Sequence, residues 1–203
     1  MVPFFSDVMR WVTHSTEVSP PDLCPTRDAF QGRLDSLYRA LLKTDDDRGA
    51  IALLTAAVGE IGNNCFDHNL GKWRDQAGCW FRYAEKQAIH WLAIADRGQG
   101  ILGSLHSILP ELHSHQEALE TAFHKQISGR APEQRGNGLK FVRSVINGHP
   151  SRGLCCLSGD GRIAFGGLTS ALTQYVGASQ APDDIPGTCV LLAWRRDHAN
   201  RPR

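Results

Sequence analysis

A helical segment in the first third of the chain carries the residues best suited to chemistry. The run GEIGNNCFDHN places Glu60 and Asn64 four residues apart, so both side chains lie on one helix face, one turn apart. An Asn carbonyl oxygen is a suitable hard ligand for Mg²⁺, and a neighbouring Glu can orient or deprotonate a nucleophile. Asp67 lies on the same face, and His68 follows it near the helix end.

The same face has a simpler interpretation as a solvated polar surface, which is what most such faces are. Surface helix positions usually favour Lys, Gln or Ala. Here Gly59, Gly62, Asn63 and Asn64 are poor helix formers. We therefore expect that something other than helix stability selected these residues.

Glycines are frequent in the second half of the chain: 14 of the 20 follow residue 97. Asp96 ends the apolar run IHWLAIAD, and Gly98 and Gly100 follow it. An ionised carboxylate at the end of a buried strand needs a donor, which an adenine amino group would supply. The glycines would let a ring or a phosphate approach the backbone closely, although a tight turn is the common explanation for such a pair.

A second glycine pair, Gly136 and Gly138, precedes another helical pattern, RGNGLKFVRSV. The N–H groups and the dipole at a helix N-terminus favour an anion such as a phosphate. Each of these features is weak alone.

Hydrophobic periodicity predicts the elements that must position these residues. Helices are expected over about 26–43 and 48–68, and an antiparallel pair of strands over CWFRYAEKQ and AIHWLAIAD. Residues 101–135 are a polar, irregularly helical insertion of the kind that can form a lid. A hairpin through GDG and a last strand, GTCVLLAWR, complete the pattern. We predict an N-terminal arm over 1–25, a domain over 26–198 and a tail over 199–203.

Composition narrows the function classes. The 22 Lys and Arg nearly balance the 21 Asp and Glu, so the net charge of +1 gives no basic field for coating nucleic acid. No apolar run approaches the length of a membrane span, and the first residues lack the pattern of a signal peptide. The six cysteines include no CxxC pair and are expected to be reduced. We expect a cytoplasmic protein that is not embedded in a membrane.

In their order and spacing these segments resemble the GHKL superfamily, the ATP-binding fold of gyrases, heat-shock chaperones, histidine kinases and MutL-type repair proteins. The resemblance covers about residues 45–195. It implies the Bergerat fold, an α+β two-layer sandwich in which helices cover one face of a mixed, largely antiparallel sheet. It also implies ATP and Mg²⁺ as cofactors.

The resemblance implies roles for individual residues. Glu60 takes the position of the catalytic or water-orienting acid, Asn64 helps to bind Mg²⁺, and Asp96 accepts from the adenine amino group. The other positions expected to contact the nucleotide are Asp67, His68, Gly98, Gly100, Ile101, Gly136, Asn137, Gly138, Leu139 and Thr188.

Two functions remain open. The chain lacks a phosphoacceptor His motif ahead of the ATP domain and a long segment after Trp194, so its format resembles stand-alone anti-sigma-factor kinases. One function is hydrolysis of ATP or transfer of its γ-phosphoryl to a protein partner. The alternative is a nucleotide-gated switch with little turnover, in which ATP orders the lid. Phe4, Phe5 and Trp11 of the arm are expected either to contact a partner or second copy, or to pack back onto the domain.

Overall fold

A six-stranded antiparallel sheet lies at the centre of the protein. A computed structural model describes residues 4–14, 22–44, 47–125, 137–178 and 184–196. The strand order within these residues is β1-β2-β3-β6-β4-β5, and every neighbouring pair is antiparallel. The strands are β1 (Leu23–Cys24), β2 (Cys79–Lys86), β3 (Ile89–Asp96), β4 (Arg152–Gly159), β5 (Gly161–Phe165) and β6 (Ile185–Arg195).

Strand β3 lies in the middle of the sheet, and all eight of its residues are buried. It follows β2 through a two-residue turn, in which Gln87 and Ala88 have φ values of 55° and 57°. Positive φ at both positions is the conformation of the tight turn whose twist matches that of the paired strands. The hairpin predicted from the two apolar runs is therefore present. It places Asp96 at the C-terminal end of the central strand β3.

Helices cover both faces of the sheet. They are α1 (Phe4–Thr13), α2 (Arg27–Thr44), α3 (Arg48–Asp67), α4 (Gly100–Leu105), α5 (His115–His124), α6 (Gly138–Ile146) and α7 (Thr169–Ala178). Helices α2, α3, α5 and α6 bury their apolar faces in one core with side chains of β2, β3, β4 and β6. This packing confirms the predicted α+β sandwich with a largely antiparallel sheet.

Helices α1 and α7 form a second core on the opposite face of the sheet. The prediction from the sequence had helices on one face only. Phe5 of α1 packs edge-on against Trp91 and Tyr175, with ring centroids 6.0 and 5.6 Å apart. Phe4 and Trp11 are also buried. Of the two arrangements left open for these aromatic residues, the structure has them packed back onto the domain. No helix among the described residues is long and apolar enough to cross a bilayer.

Close packing between α2 and α3 explains much of the unusual composition of α3. A Cβ atom at Gly62 would lie 1.9 Å from the Phe30 ring, and one at Gly59 would lie 3.3 Å from Leu34. Asn63 accepts a hydrogen bond of 2.8 Å from Gln31 of α2. Packing between the two helices thus explains Gly59, Gly62 and Asn63, and it is a reason other than helix stability.

Replacing Gly62 by Ala is expected to lower the free energy of unfolding by about 1–3 kcal/mol, because the new methyl group overlaps the Phe30 ring. The measurement is equilibrium unfolding in urea. Gly32→Ala is the matched control, since a Cβ at Gly32 in the exposed part of α2 meets no atom within 4 Å. This control should raise stability by roughly 0.5–1 kcal/mol. Equal effects of the two substitutions would contradict the packing explanation.

Candidate functional site

Asp96 ends β3 in a buried position, with 3% of its surface exposed. Its Oδ1 accepts the backbone N–H of Gly98 at 2.9 Å. The Cys65 thiol, the Asn69 amide and the backbone of Thr188 lie near the carboxyl group and favour its ionised form. These groups come from three segments of the chain: the glycine turn, α3 with the residues directly after it, and β6. The carboxyl group therefore joins the glycine turn to α3 and β6.

Burial raises the pKa of Asp96 from 3.8 to about 6, and the bonds from Gly98, Cys65, Asn69 and Thr188 oppose that rise. The group is still mainly ionised at neutral pH. An ionised carboxylate in so enclosed a place gains from every additional donor it can find. This is the property expected of a residue that accepts from a ligand amino group.

Asn69 is a member of this network that the sequence did not reveal. It is 3% exposed, and its Nδ2 donates to the Cys65 carbonyl at 3.0 Å. Its Oδ1 accepts from the backbone of Gln99 at 3.1 Å, and a Cβ at Gly98 would lie 2.0 Å from that oxygen. Gly98 is therefore a glycine for a packing reason, whatever else it contacts. The available signal was spacing: Asn69 continues the buried i, i+4 stripe of Ile61 and Cys65, where a polar residue needs a partner.

Ser158 is the second residue that the sequence did not reveal. This serine of β4 is 1% exposed; its Oγ accepts from the backbone of Ile101 at 3.0 Å and donates to the Gly187 carbonyl at 2.9 Å. Gly100, just before Ile101, has a φ of +71°, which L side chains rarely adopt. Ser158 thus fixes the second half of the glycine turn against the start of β6. Nothing in the run CCLSG distinguishes this serine from an ordinary strand residue.

Glu60 meets the second glycine segment directly. A Cβ at Gly138, the first residue of α6, would lie 2.3 Å from Glu60 Oε2. The Asn137 side chain makes no capping bond to α6; it accepts instead from Lys140 at 2.9 Å. The carboxylate of Glu60 therefore lies against the N-terminus of α6. The side chain of Asn137, the N-cap residue of that helix, does not cap it. Residues far apart in the sequence are brought together here, as the predicted site requires.

Asn64 and Asp67, the other polar residues predicted on this face of α3, differ in whether their side chains already have a partner. Asn64 is half-buried, and its side chain makes no hydrogen bond to another described residue, so its carbonyl oxygen is available to a ligand. Asp67 instead forms an ion pair with Arg27 at the start of α2. The carbonyl of His68 accepts from the Gln99 side chain at 2.6 Å. The structure thus directs Asp67 toward α2 rather than toward Gly138, because Arg27 lies beside it.

The other predicted positions are less informative. Leu139 and Ile101 pack partly buried against the core, and Thr188 pairs with Asp96 in the β3–β6 register. Gly136 lies outside the described residues, as do residues 126–135 of the predicted lid. The described part of that lid contains α4 and α5, and α5 buries five side chains, including Leu119 and Phe123. Its ordering by nucleotide remains a prediction.

A magnesium ion would find few protein ligands. The described ranges contain no group of three or more His, Cys, Asp or Glu side chains that could hold a metal ion. Mg²⁺ commonly takes one or two protein oxygens and completes its shell with water and phosphate oxygens. Asn64 with Glu60 one turn away fits that limited donor set, provided that phosphate is present.

Arg97, directly after Asp96, connects the site to the arm. Its guanidinium group forms a two-bond ion pair with Asp75, at 2.7 and 2.6 Å. The same group donates to the carbonyl of Trp11 and, at 2.8 Å, to that of His14, both at the C-terminal end of α1. Arg97 is 7% exposed. Asp96 therefore holds the glycine turn, and Arg97, the next residue, holds the end of α1.

Two cavities are lined by described residues, and neither reaches Asp96. The larger, about 790 Å³, lies between α5 and β5; the other, about 360 Å³, lies between α2 and α3 and includes Glu60 and Asn63. Since its own donors enclose the Asp96 carboxylate, a ligand there would have to replace one of them.

Comparisons with known proteins add no identification. No model of a known protein family matches the chain, and no curated protein matches it. The resemblance to the GHKL superfamily therefore depends on the residues and contacts described above.

The raised pKa of Asp96 predicts a specific pH dependence of stability. Between about pH 4 and pH 6 the unfolded chain loses this proton first, so the folded state binds more protons and is weakened as the pH rises. The difference from 3.8 to about 6 corresponds to on the order of 3 kcal/mol. Asp96→Asn removes this loss, so its stability relative to wild type should rise by that amount between pH 4 and pH 7 in urea unfolding.

Asp35→Asn, which removes an exposed carboxylate from α2, controls for the loss of one negative charge. A constant difference between Asp96→Asn and wild type across this pH range would show that Asp96 has no raised pKa.

Proposed function

We propose that this protein binds Mg·ATP and hydrolyses it or transfers its γ-phosphoryl group to a protein partner. The observation that carries the proposal is the contact between Glu60 and Gly138. An acid on one helix lies at the N-terminus of another, and Gly136 precedes that second helix in the sequence. A phosphate bound at such an N-terminus would lie beside a carboxylate able to orient a nucleophile.

The base would bind at the other end of the site. Asp96 is an ionised acceptor in a water-poor environment, and an adenine amino group would take the place of one of the groups that now surround it. The turn places the backbone of Gly98 and Gly100 beside the carboxylate, and neither glycine adds a side chain there. Asn69 and Ser158 are positioning residues in this scheme, since they hold the turn without contacting the nucleotide.

Electrostatics gives a reason for the metal. Glu60 already places a negative charge at the N-terminus of α6, so a polyphosphate in the same place would be repelled unless a cation lay between them. When bound, Mg²⁺ would supply that neutralising charge. The carbonyl oxygen of Asn64, one turn from Glu60, is the protein ligand available to hold it. Glu60 then aligns water or a partner hydroxyl and accepts its proton.

Asp96→Asn should weaken ATP binding roughly tenfold to a hundredfold, because a bond to a charged acceptor is worth about 1.5–3 kcal/mol. Isothermal titration of the full chain with Mg²⁺ and a non-hydrolysable ATP analogue measures this change. Asp35→Asn is the control and should bind as wild type does. An unchanged affinity in a folded Asp96→Asn protein would reject the assigned site, and no binding by wild type would reject the proposal.

Glu60→Gln should separate binding from turnover. The amide keeps the shape of the side chain but cannot accept a proton, so phosphate release should fall by about 10²-fold or more while Mg·ATP affinity is retained. Without Mg²⁺ the same variant should bind ATP more tightly than wild type, because the repulsion is gone. Asn64→Ala should instead lose the dependence of affinity on Mg²⁺. Phosphate release by Glu60→Gln at the wild-type rate would remove Glu60 from the reaction.

One observation favours the alternative function, a nucleotide-gated switch. A ligand that displaces a donor of Asp96 disturbs the strand end that also holds Arg97, and Arg97 bonds to the end of α1. Binding could therefore be transmitted to the arm without turnover. The switch is supported over the enzyme if wild type binds ATP but releases no phosphate, alone or with candidate partners.

A further inference from the structure

Three buried thiols form a connected chain at one edge of the sheet. Cys24 of β1 and Cys79 of β2 are direct partners in the antiparallel register. The Cys79 thiol lies beside both Cys24 and Cys65, and Cys65 lies in turn beside Asp96. Exposure of the three is 0%, 4% and 0% for Cys24, Cys65 and Cys79. All six cysteines of the protein are free.

The charged surroundings distinguish Cys24 from the other thiols. Arg33 of α2 lies with Nη1 3.6 Å from the Cys24 sulfur. The bond from Cys79 and then the Arg33 charge lower the pKa of Cys24 to about 7, against the opposing effects of burial and Asp22. The same thiol contacts and burial raise the pKa of Cys79. A thiolate therefore forms at Cys24, while the proton stays on Cys79.

Backbone geometry favours Cys24 over Cys65 as the disulfide partner of Cys79. Directly opposed residues of antiparallel strands have Cα atoms about 4.5–5.5 Å apart, inside the roughly 4.4–6.8 Å that a disulfide spans. Cys65 approaches Cys79 from a helix above the sheet, and its thiol donates to the Ile61 carbonyl at 3.6 Å.

We propose that Cys24 and Cys79 form a site of reversible oxidation, at which Cys24 reacts with a hydroperoxide and Cys79 resolves the product as a disulfide. In the first step the Cys24 thiolate attacks one oxygen of hydrogen peroxide. The O–O bond breaks, Cys24 becomes a sulfenic acid, and the released hydroxide takes a proton from solvent. In the second step the Cys79 sulfur attacks the Cys24 sulfur, and the hydroxyl leaves as water with the Cys79 proton. Two thiols have then lost two electrons, and one peroxide has become two waters.

The position of Cys24 gives a small oxidant a route to the sulfur. Strand β1 is an edge strand of two residues, paired only with β2 among the described strands. Pro25 beside it is exposed, and Arg33 is only half-buried. A short edge strand opens locally at low cost in free energy. Hydrogen peroxide is small enough to use such an opening.

Peptide mapping tests the proposal directly, because trypsin separates the three thiols. Cys24 lies in the peptide of residues 11–27, Cys65 in 49–72 and Cys79 in 75–82. The full chain is treated with equimolar hydrogen peroxide at pH 7, and its free thiols are alkylated before digestion. The expected result is the loss of two alkylatable thiols, a linked pair of peptides 11–27 and 75–82, and full recovery with dithiothreitol.

Variants identify the roles of the individual residues. Cys65→Ser is the matched control and should form the same disulfide, whereas Cys24→Ser and Cys79→Ser should form none. Arg33→Gln should slow the loss of thiols about tenfold at pH 7, because less of Cys24 is thiolate. A link between 49–72 and 75–82, over-oxidation of Cys24 without a link, or six intact thiols in wild type would each overturn the proposal. The mapping of wild type decides the question even if a variant fails to fold, and it does not depend on ATP binding.

Discussion

A carboxylate buried at the end of the central strand sets the requirements that its neighbours meet. Asp96 is ionised at neutral pH in a place almost closed to water, so each of its lone pairs needs a donor. The groups around it are the Gly98 backbone, the side chains of Cys65 and Asn69 at and just after the C-terminal end of α3, and the backbone of Thr188 in β6. These segments adopt their relative positions because a missing donor would leave a buried charge unpaired. Arg97 imposes a similar requirement on the other face, where the end of α1 and Asp75 surround its guanidinium group.

Much of the fold could be predicted from the sequence because its elements are long and regular in period. The hairpin of β2 and β3, the last strand, and helices α2 and α3 bury apolar residues at the intervals that define them. Strand β1 has two residues, and α7 mixes small and polar residues without a clear stripe, so neither leaves a recognisable pattern. Helix α1 lies in the predicted N-terminal arm, but only the aromatic side chains on the second face of the sheet explain where it packs.

Site residues could be predicted where their position depends on a single helix face. They could not be predicted where their position depends on a contact with a distant segment. Spacing placed Glu60 and Asn64 together, but it could not show that Arg27 would draw Asp67 away toward α2. Likewise, the sequence alone does not show why residue 62 is glycine. In the structure the Phe30 ring occupies the space that a side chain there would need. Ser158 and Arg97 act through partners in other elements, so their local sequence contains no signal of their roles. Helix packing and ligand binding both select glycine, and only tertiary contacts distinguish the two causes.

Helix α3 connects the two ends of the candidate site. Its Glu60 lies at the start of α6, and five residues further along the helix Cys65 lies beside Asp96. A rigid helix fixes the distance between these ends, so a ligand that spans them must match it.

The donors around Asp96 decide how such a ligand could enter. The amino group of a base would compete with the Cys65 thiol and the Asn69 amide for the same oxygens, and with a proton when the pH is low. Exchange is favourable only if the displaced donors find other acceptors. Cys65 has one in the Ile61 carbonyl at 3.6 Å, and Asn69 keeps its bond to the Cys65 carbonyl. The thiol is therefore the donor that can be released at the lowest cost in free energy.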